Sequence, residues 1–158
     1  MTNEALQNTI ASWFENKLEA NLVFSTEGSQ FLNVEIDTGH LHELMSFLKV
    51  DKDMQFDYLF CLTGVDWNPE LGVIYHLEST SFRHQLVVRV KISNRENPEI
   101  DSVQDLWATA NFHEREVFDF FGITFNNHPK MKRLFLTDDW EGYPLRKDYV
   151  DEVNMITK

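Results

Sequence analysis

The chain has 158 residues, 42% of them hydrophobic and with 13 Phe, enough to enclose a core in one domain without cross-links. Its formal net charge of −12 argues against nucleic acid and against anionic lipid surfaces as partners. The single cysteine, Cys61, excludes an intramolecular disulfide, a multi-cysteine zinc site and an iron–sulfur cluster held by this chain alone.

The charge is unevenly spread. Residues 1–82 carry 3 Lys and Arg against 13 Asp and Glu, and residues 83–158 carry 11 against 13. The first half reads as an acidic, solvated body, and the nearly neutral second half is compatible with one face resting against another molecule. Cys61 lies in the apolar run Tyr58-Leu59-Phe60-Cys61-Leu62, which predicts a buried core thiol. No stretch approaches the roughly 20 apolar residues of a membrane span. The N-terminal sequence has no basic segment ahead of an apolar one, so neither a signal nor a transit peptide is expected.

Residues 4–19 place Leu6, Ile10, Trp13, Phe14 and Leu18 at helical spacing, with Thr2 or Asn3 as the cap. Residues 21–26 and 31–37 flank Gly28-Ser29 and predict a hairpin. Residues 40–50 put Leu41, Leu44, Met45 and Leu48 on one helical face. Strand-like runs follow over residues 56–65, 73–78 and 85–92. In the last, Leu86, Val88, Val90 and Ile92 alternate with Val87, Arg89 and Lys91, so one side faces the core. Asp101 or Ser102 is placed to cap a short helix through Trp107. A further helix over residues 112–121 stops at Gly122, a natural left-handed cap. Beyond it the periodicity is lost, and Asn126-Asn127-His128-Pro129 and Gly142-Tyr143-Pro144 punctuate an irregular segment. This order predicts an α+β fold, with helices flanking a mainly antiparallel sheet and an irregular C-terminal arm. The expected division is an α+β domain over residues 1–125 and an extended segment over 126–158, packing on that domain and on a partner.

Two charge clusters, Glu114-Arg115-Glu116 and Arg146-Lys147-Asp148, sit among Phe, Trp, Leu and Pro. Charges in apolar surroundings must pair, serve chemistry or meet a partner. The helix over 112–121 is apolar nearly all round, so it is largely buried. Its Arg115 and Asp119 are i,i+4 neighbours in the weaker order, base before acid, which points to tertiary partners. A catalytic reading would use His113, Glu116 and Asp119 as an acid–base set. His113-Glu114 lacks the second His of a zinc-protease helix. The balance favours a buried salt-bridge network joining the helix to the later loop. His128, ahead of Pro129, reads as a turn residue bonded to backbone. Lys130, Lys132 and Arg133 form a short basic patch. Residues 140–149 combine aromatics, Arg and Pro on irregular backbone, the composition of interface hot spots. They either fold back on their own domain or are covered by another chain. No nucleotide-binding glycine motif, nucleophile elbow or Cys/His cluster is present.

Glu114-Arg115-Glu116, Asp119-Phe120-Phe121-Gly122-Ile123, His128-Pro129, Lys132-Arg133-Leu134 and Trp140-Glu141-Gly142-Tyr143-Pro144-Leu145-Arg146-Lys147-Asp148-Tyr149 together resemble the signature of the 30 kDa subunit family of respiratory complex I. In bacteria these are the C subunits of NADH–quinone oxidoreductase. Phe135, where an aliphatic residue is expected, and Val150, where Pro is common, depart from the pattern.

The resemblance implies a cofactor-free structural subunit of the hydrophilic arm, peripheral on the cytoplasmic face of a bacterial inner membrane. It would pack on the 49 kDa-type subunit and neighbouring hydrophilic-arm subunits. Flavin and iron–sulfur clusters in those partners would carry electrons from NADH to quinone, with proton translocation. The chain would be part of that enzyme with no catalytic, cofactor-binding or metal residues of its own. The structural ion-pair network would comprise Glu114, Arg115, Glu116, Asp119, His128, Arg133, Arg146, Lys147 and Asp148. Trp140, Tyr143, Pro144, Leu145, Arg146, Lys147 and Tyr149 would face the partner. The alternatives are the equivalent subunit of an NDH-type plastoquinone complex or membrane-bound hydrogenase, a stand-alone acid–base enzyme using Glu116 and Asp119, and a homo-oligomeric binding module.

Overall fold

A computed structural model describes residues 1–15 and 21–151. Helix α1 (Asn3–Glu15) begins where the Thr2 hydroxyl accepts the Ala5 N–H at 3.2 Å. Leu6, Ile10 and Phe14 bury its apolar stripe, and Trp13 stacks on Phe47. Leu18 and the last turn of the expected helix lie outside the described residues. Strands β1 (Val23–Ser25) and β2 (Leu32–Ile36) form the expected hairpin. A single 3-10 turn, Thr38–His40, capped by the Asp37 carboxylate, leads into α2 (Leu41–Val50). Leu41, Leu44, Met45 and Leu48 are all buried, as their spacing requires.

Strands β3 (Tyr58–Asp66), β4 (Leu71–Ser79) and β5 (His84–Ile92) complete a five-stranded sheet of order β1-β2-β5-β4-β3. All pairs are antiparallel except β2 and β5, which run parallel. Rows such as Val34, Val88, Tyr75 and Leu62 cross the sheet on one face. Those side chains and the buried residues of the helices form one continuous core. Val87, on the opposite face of β5, is buried as well, so alternation alone understated how much of this strand is covered. Cys61 is not a core thiol. It sits in a bulge of edge strand β3, half-buried, because the register shifts between Leu59 and Cys61.

The chain then forms β6 (Glu99–Asp101), α3 (Ala110–Phe121) and β7 (Thr124–Asn126), with β6 and β7 paired in parallel. The helix expected between Asp101 and Trp107 does not form. Asp101 belongs to β6, and only one turn closes on the Val103 carbonyl, from the Leu106 and Trp107 N–H groups. Glu114 on α3 takes the groups a cap would have used: the Ser102 hydroxyl donates to it at 2.6 Å and the Val103 N–H at 2.8 Å. Strand β7 straddles the expected boundary at residue 125, so the segment after α3 begins as part of the domain.

Helix α3 lies directly on β3 because residue 64 is glycine. A Cβ there would stand 2.5 Å from Phe121 Cδ2 and 3.0 Å from Val117 Cγ1. Gly64→Ala should therefore lower stability by about 1–3 kcal/mol through overpacking, read from the urea midpoint.

Candidate functional site

The last four carbonyls of an α-helix have no partner inside the helix. In α3 each finds one. The Phe118 carbonyl accepts the N–H of Gly122, which caps the helix at φ +70°. The Asp119 carbonyl accepts Arg133 Nη1 at 3.0 Å, the Phe120 carbonyl accepts the Leu145 N–H at 3.1 Å, and the Phe121 carbonyl accepts Arg146 Nε at 2.6 Å. The arm thus closes the helix, and it brings two guanidinium groups to the negative end of the helix dipole.

The Asp119 side chain, fully buried, fastens the arm a second time. Its Oδ2 accepts the consecutive N–H groups of Leu134, Phe135 and Leu136 at 3.0, 2.6 and 3.0 Å, and its Oδ1 accepts Arg133 Nη1 at 3.0 Å. Burial works to raise its pKa, but these four donors outweigh burial and hold it below the ordinary carboxylate value. Arg133 Nη2 reaches the carbonyls of Trp140 and Gly142 at 3.0 and 3.1 Å. The Tyr143 ring packs on Gly122, where a Cβ would collide with it, and it lies beneath both Arg133 and Arg146. Arg115 donates to the carbonyls of Lys132 and Arg133.

A second fastening centres on Arg95 and Asp66, which the sequence did not single out. Arg95 forks onto Asp66 at 2.9 and 2.6 Å and also reaches Asp148 at 3.0 Å. The Lys147 N–H donates to Asp66 at 2.8 Å, and Arg146 Nη1 donates to the Arg95 carbonyl at 3.2 Å. The Arg95 guanidinium holds the Asp66 carboxyl far below its ordinary value.

The expected ion-pair network is therefore rebuilt. Arg115 and Arg146 bind backbone carbonyls, not carboxylates. Lys147 contributes its N–H while its ammonium stays exposed. Glu114 is completely buried on Ser102 and Val103, and burial pushes its pKa up to about 7. His128 donates from Nε2 to the Asn111 carbonyl and accepts the Lys130 N–H on Nδ1, so a neutral ring satisfies both contacts. Glu116 is exposed, while Asp119 is sealed by four donors. The acid–base pair of the enzyme reading does not converge on a solvent-reaching pocket. Among the described residues no three His, Cys, Asp or Glu side chains converge on a metal position, and no helix is long and apolar enough to cross a membrane.

The residues expected to meet a partner separate into two groups. The Tyr143 ring and the Arg146 guanidinium face inward, Trp140 gives its carbonyl to Arg133, and Pro144 and Tyr149 are half-buried. Leu145 points outward at 55% exposure, beside Phe120, which stacks on Phe135 at 5.7 Å; Phe135 is 63% exposed. Of this ridge, Leu145 was expected to face a partner; Phe120 and Phe135 were not, although Phe135 stood out as a departure from the family pattern.

Residues 34–153 match the family described as respiratory-chain NADH dehydrogenase, 30 Kd subunit. The chain belongs to that family. It is 54% identical over 122 residues to the fused C/D subunit of NADH-quinone oxidoreductase from Phocaeicola vulgatus, a match covering 77% of this chain and 23% of that protein. Against the C subunit of the same enzyme from Roseiflexus castenholzii it is 39% identical over 148 residues, covering 91% of this chain and 84% of the other. The fold resembles a chain of the membrane-bound sulfane sulfur reductase, an archaeal respiratory membrane complex, with TM-score 0.75, 25% identity, and coverage of 95% and 86%. The chain thus spans about a quarter of the length of the first C/D relatives and most of the length of a separate C subunit.

Asp119→Ala strands three N–H groups and Arg133, so it should cost about 3–5 kcal/mol in urea unfolding, whereas exposed Glu116→Ala should change stability by under about 0.5 kcal/mol. Glu114 gives a pH signature. Its folded pKa of about 7 lies above the ordinary 4.5, so its contribution is complete below 4.5 and is lost as pH rises through 7. That contribution should fall by up to about 3 kcal/mol over the window, against the opposite trend of His76, His84 and His128, whose folded values burial lowers, and Glu114→Gln should remove the falling part of the slope between pH 5 and 8. Asp66 and Asp119, whose folded values are depressed, lose their contributions only at more acidic pH.

Proposed function

We propose that the protein is a structural subunit of the hydrophilic arm of an NADH–quinone oxidoreductase, without catalytic or cofactor-binding residues of its own. Family membership supports this reading, and one structural observation carries it further. The arm turns Arg133 and Arg146 inward while presenting Phe135 and Leu145 outward beside half-buried Phe120 of α3. A ridge of large apolar side chains on a hydrogen-bonded support has the character of an interface core. Its occupant in this reading is the 49 kDa-type, or D, subunit. Relatives with the designation C/D unite the two in one chain, and a covalent link of that kind raises the effective concentration of surfaces that already meet. The protein's part in electron transfer is positional. It holds its neighbours while flavin and iron–sulfur groups in other chains move electrons from NADH to quinone, at the cytoplasmic face of the membrane.

A second reading, the equivalent subunit of a related respiratory assembly, draws on the likeness to the sulfane sulfur reductase chain. The 39% identity to a separate C subunit, against 25% to that chain, favours the first.

Co-expression with the D-type subunit of the same organism tests the proposal. The wild-type chain should co-purify with it. Leu145→Asp and Phe135→Asp should each weaken capture at least about tenfold while leaving the urea midpoint within about 0.5 kcal/mol of wild type. Undiminished capture by both variants would remove the ridge from the interface, and failure of the wild-type pair would remove the subunit reading.

A further inference from the structure

The core lies on one side of the sheet. The opposite face carries Phe60, Ile74, His76, Val87 and Arg89, and none of these belongs to the continuous core or packs against it. Val87 is 3% exposed without belonging to that core. The Phe60 and His76 rings lie 5.6 Å apart. The result is a shallow, half-apolar surface, not the charged face with which an antiparallel sheet usually meets water.

Arg89 stands in the middle of this surface. Its cross-strand neighbours are Glu35 on β2 and Ile74 on β4. Glu35 turns to Lys91 instead, at 2.9 Å. Every other arginine is engaged: Arg83 with Glu78, Arg95 with Asp66 and Asp148, Arg133 with Asp119, and Arg115 and Arg146 with carbonyls. Among the described residues Arg89 has no carboxylate, and its Nε is buried without a hydrogen-bond acceptor. His76 Nδ1, also buried, is likewise unpartnered. Burial lowers the pKa of this ring, with the Arg89 charge adding to the effect, so the histidine adds no second positive charge at neutral pH.

We propose that this open sheet face is a second docking surface, where Arg89 receives an Asp or Glu side chain set in an apolar segment of a neighbouring protein subunit. The inference rests on the subunit reading above and adds a surface on the sheet face opposite the core. Charge complementarity selects the occupant. A cation without a carboxylate among the described residues, set between Ile74 and Val87 on one side and the Glu35–Lys91 pair on the other, is matched by a carboxylate flanked by apolar groups. A second copy of this chain fits poorly. Two-fold packing centred on the surface would set Arg89 against Arg89.

Photo-crosslinking in the assembled complex tests this. The full-length tagged chain, with a photoreactive residue replacing Ile74 or, in a second sample, Leu145, is purified with its partners from the native membrane fraction. The Ile74 probe should label an acidic peptide of another subunit. Arg89→Glu and Arg89→Met should each reduce that crosslink at least about tenfold, with the Leu145 crosslink unchanged. Reversing the charge on the labelled peptide should restore the crosslink to Arg89→Glu. The unchanged Leu145 crosslink also reports that the variants are folded. Labelling of a second copy, labelling within the chain itself, or no label at Ile74 while Leu145 still crosslinks, would each overturn the docking surface and leave the subunit reading standing. Loss of both crosslinks from the wild-type chain would overturn both.

Discussion

A helix end packed inside a fold must find partners for four carbonyls, and in this protein that requirement organises much of the arm that follows β7. Helix α3 cannot end against solvent, because its last turn lies between β3 and the arm. The carbonyls of Asp119, Phe120 and Phe121 are closed by Arg133, Leu145 and Arg146. Each donor comes from a segment with little regular structure of its own, so the helix end serves as the template on which that segment is laid. Asp119 adds the converse interaction, a buried anion that gathers three successive N–H groups. An irregular chain packed in this way has no ladder to absorb its polar groups, and charged side chains take the ladder's place.

This arrangement separates stability from attachment. Arginine and tyrosine are the residues expected to anchor a protein interface, yet Arg133, Arg146 and Tyr143 are turned inward. Among the exposed charges of the arm, Phe135 stacked on Phe120 and Leu145 beside them form an apolar outward ridge. A surface held from behind by charge-assisted hydrogen bonds loses little side-chain freedom when it is covered, which favours binding by preorganisation. The same chain, with its single cysteine, therefore offers a rigid ridge without an intramolecular disulfide to brace it.

Much of the fold was legible in the sequence because α1, α2 and β3 to β5 are long enough for their periods to show. Gly122 marked the end of α3 for the same local reason. Strands β6 and β7, three residues each, are too short to carry a period and exist because Glu114 and the ribbon pairing hold them. The charged motif was legible as a family mark, but its partners were not. Arg146 reads as half of an ion pair, yet it binds carbonyls, and a carbonyl leaves no trace in a sequence. Asp66 and Arg95 lie 29 residues apart, and neither sits in a patterned segment that would join them. The inward turn of Tyr143 depends on the bare Cα of Gly122, a contact visible only in three dimensions.

The central claim is that the arm belongs to the folded domain before any partner arrives. Amide hydrogen exchange of the isolated chain tests it most directly, at Leu134, Phe135, Leu136 and Leu145. These amides should be protected to within about tenfold of those in the middle of α3, because the same opening exposes both. Exchange at the rate of an unstructured peptide, with α3 still protected, would contradict the account and leave the arm to be ordered by its partner.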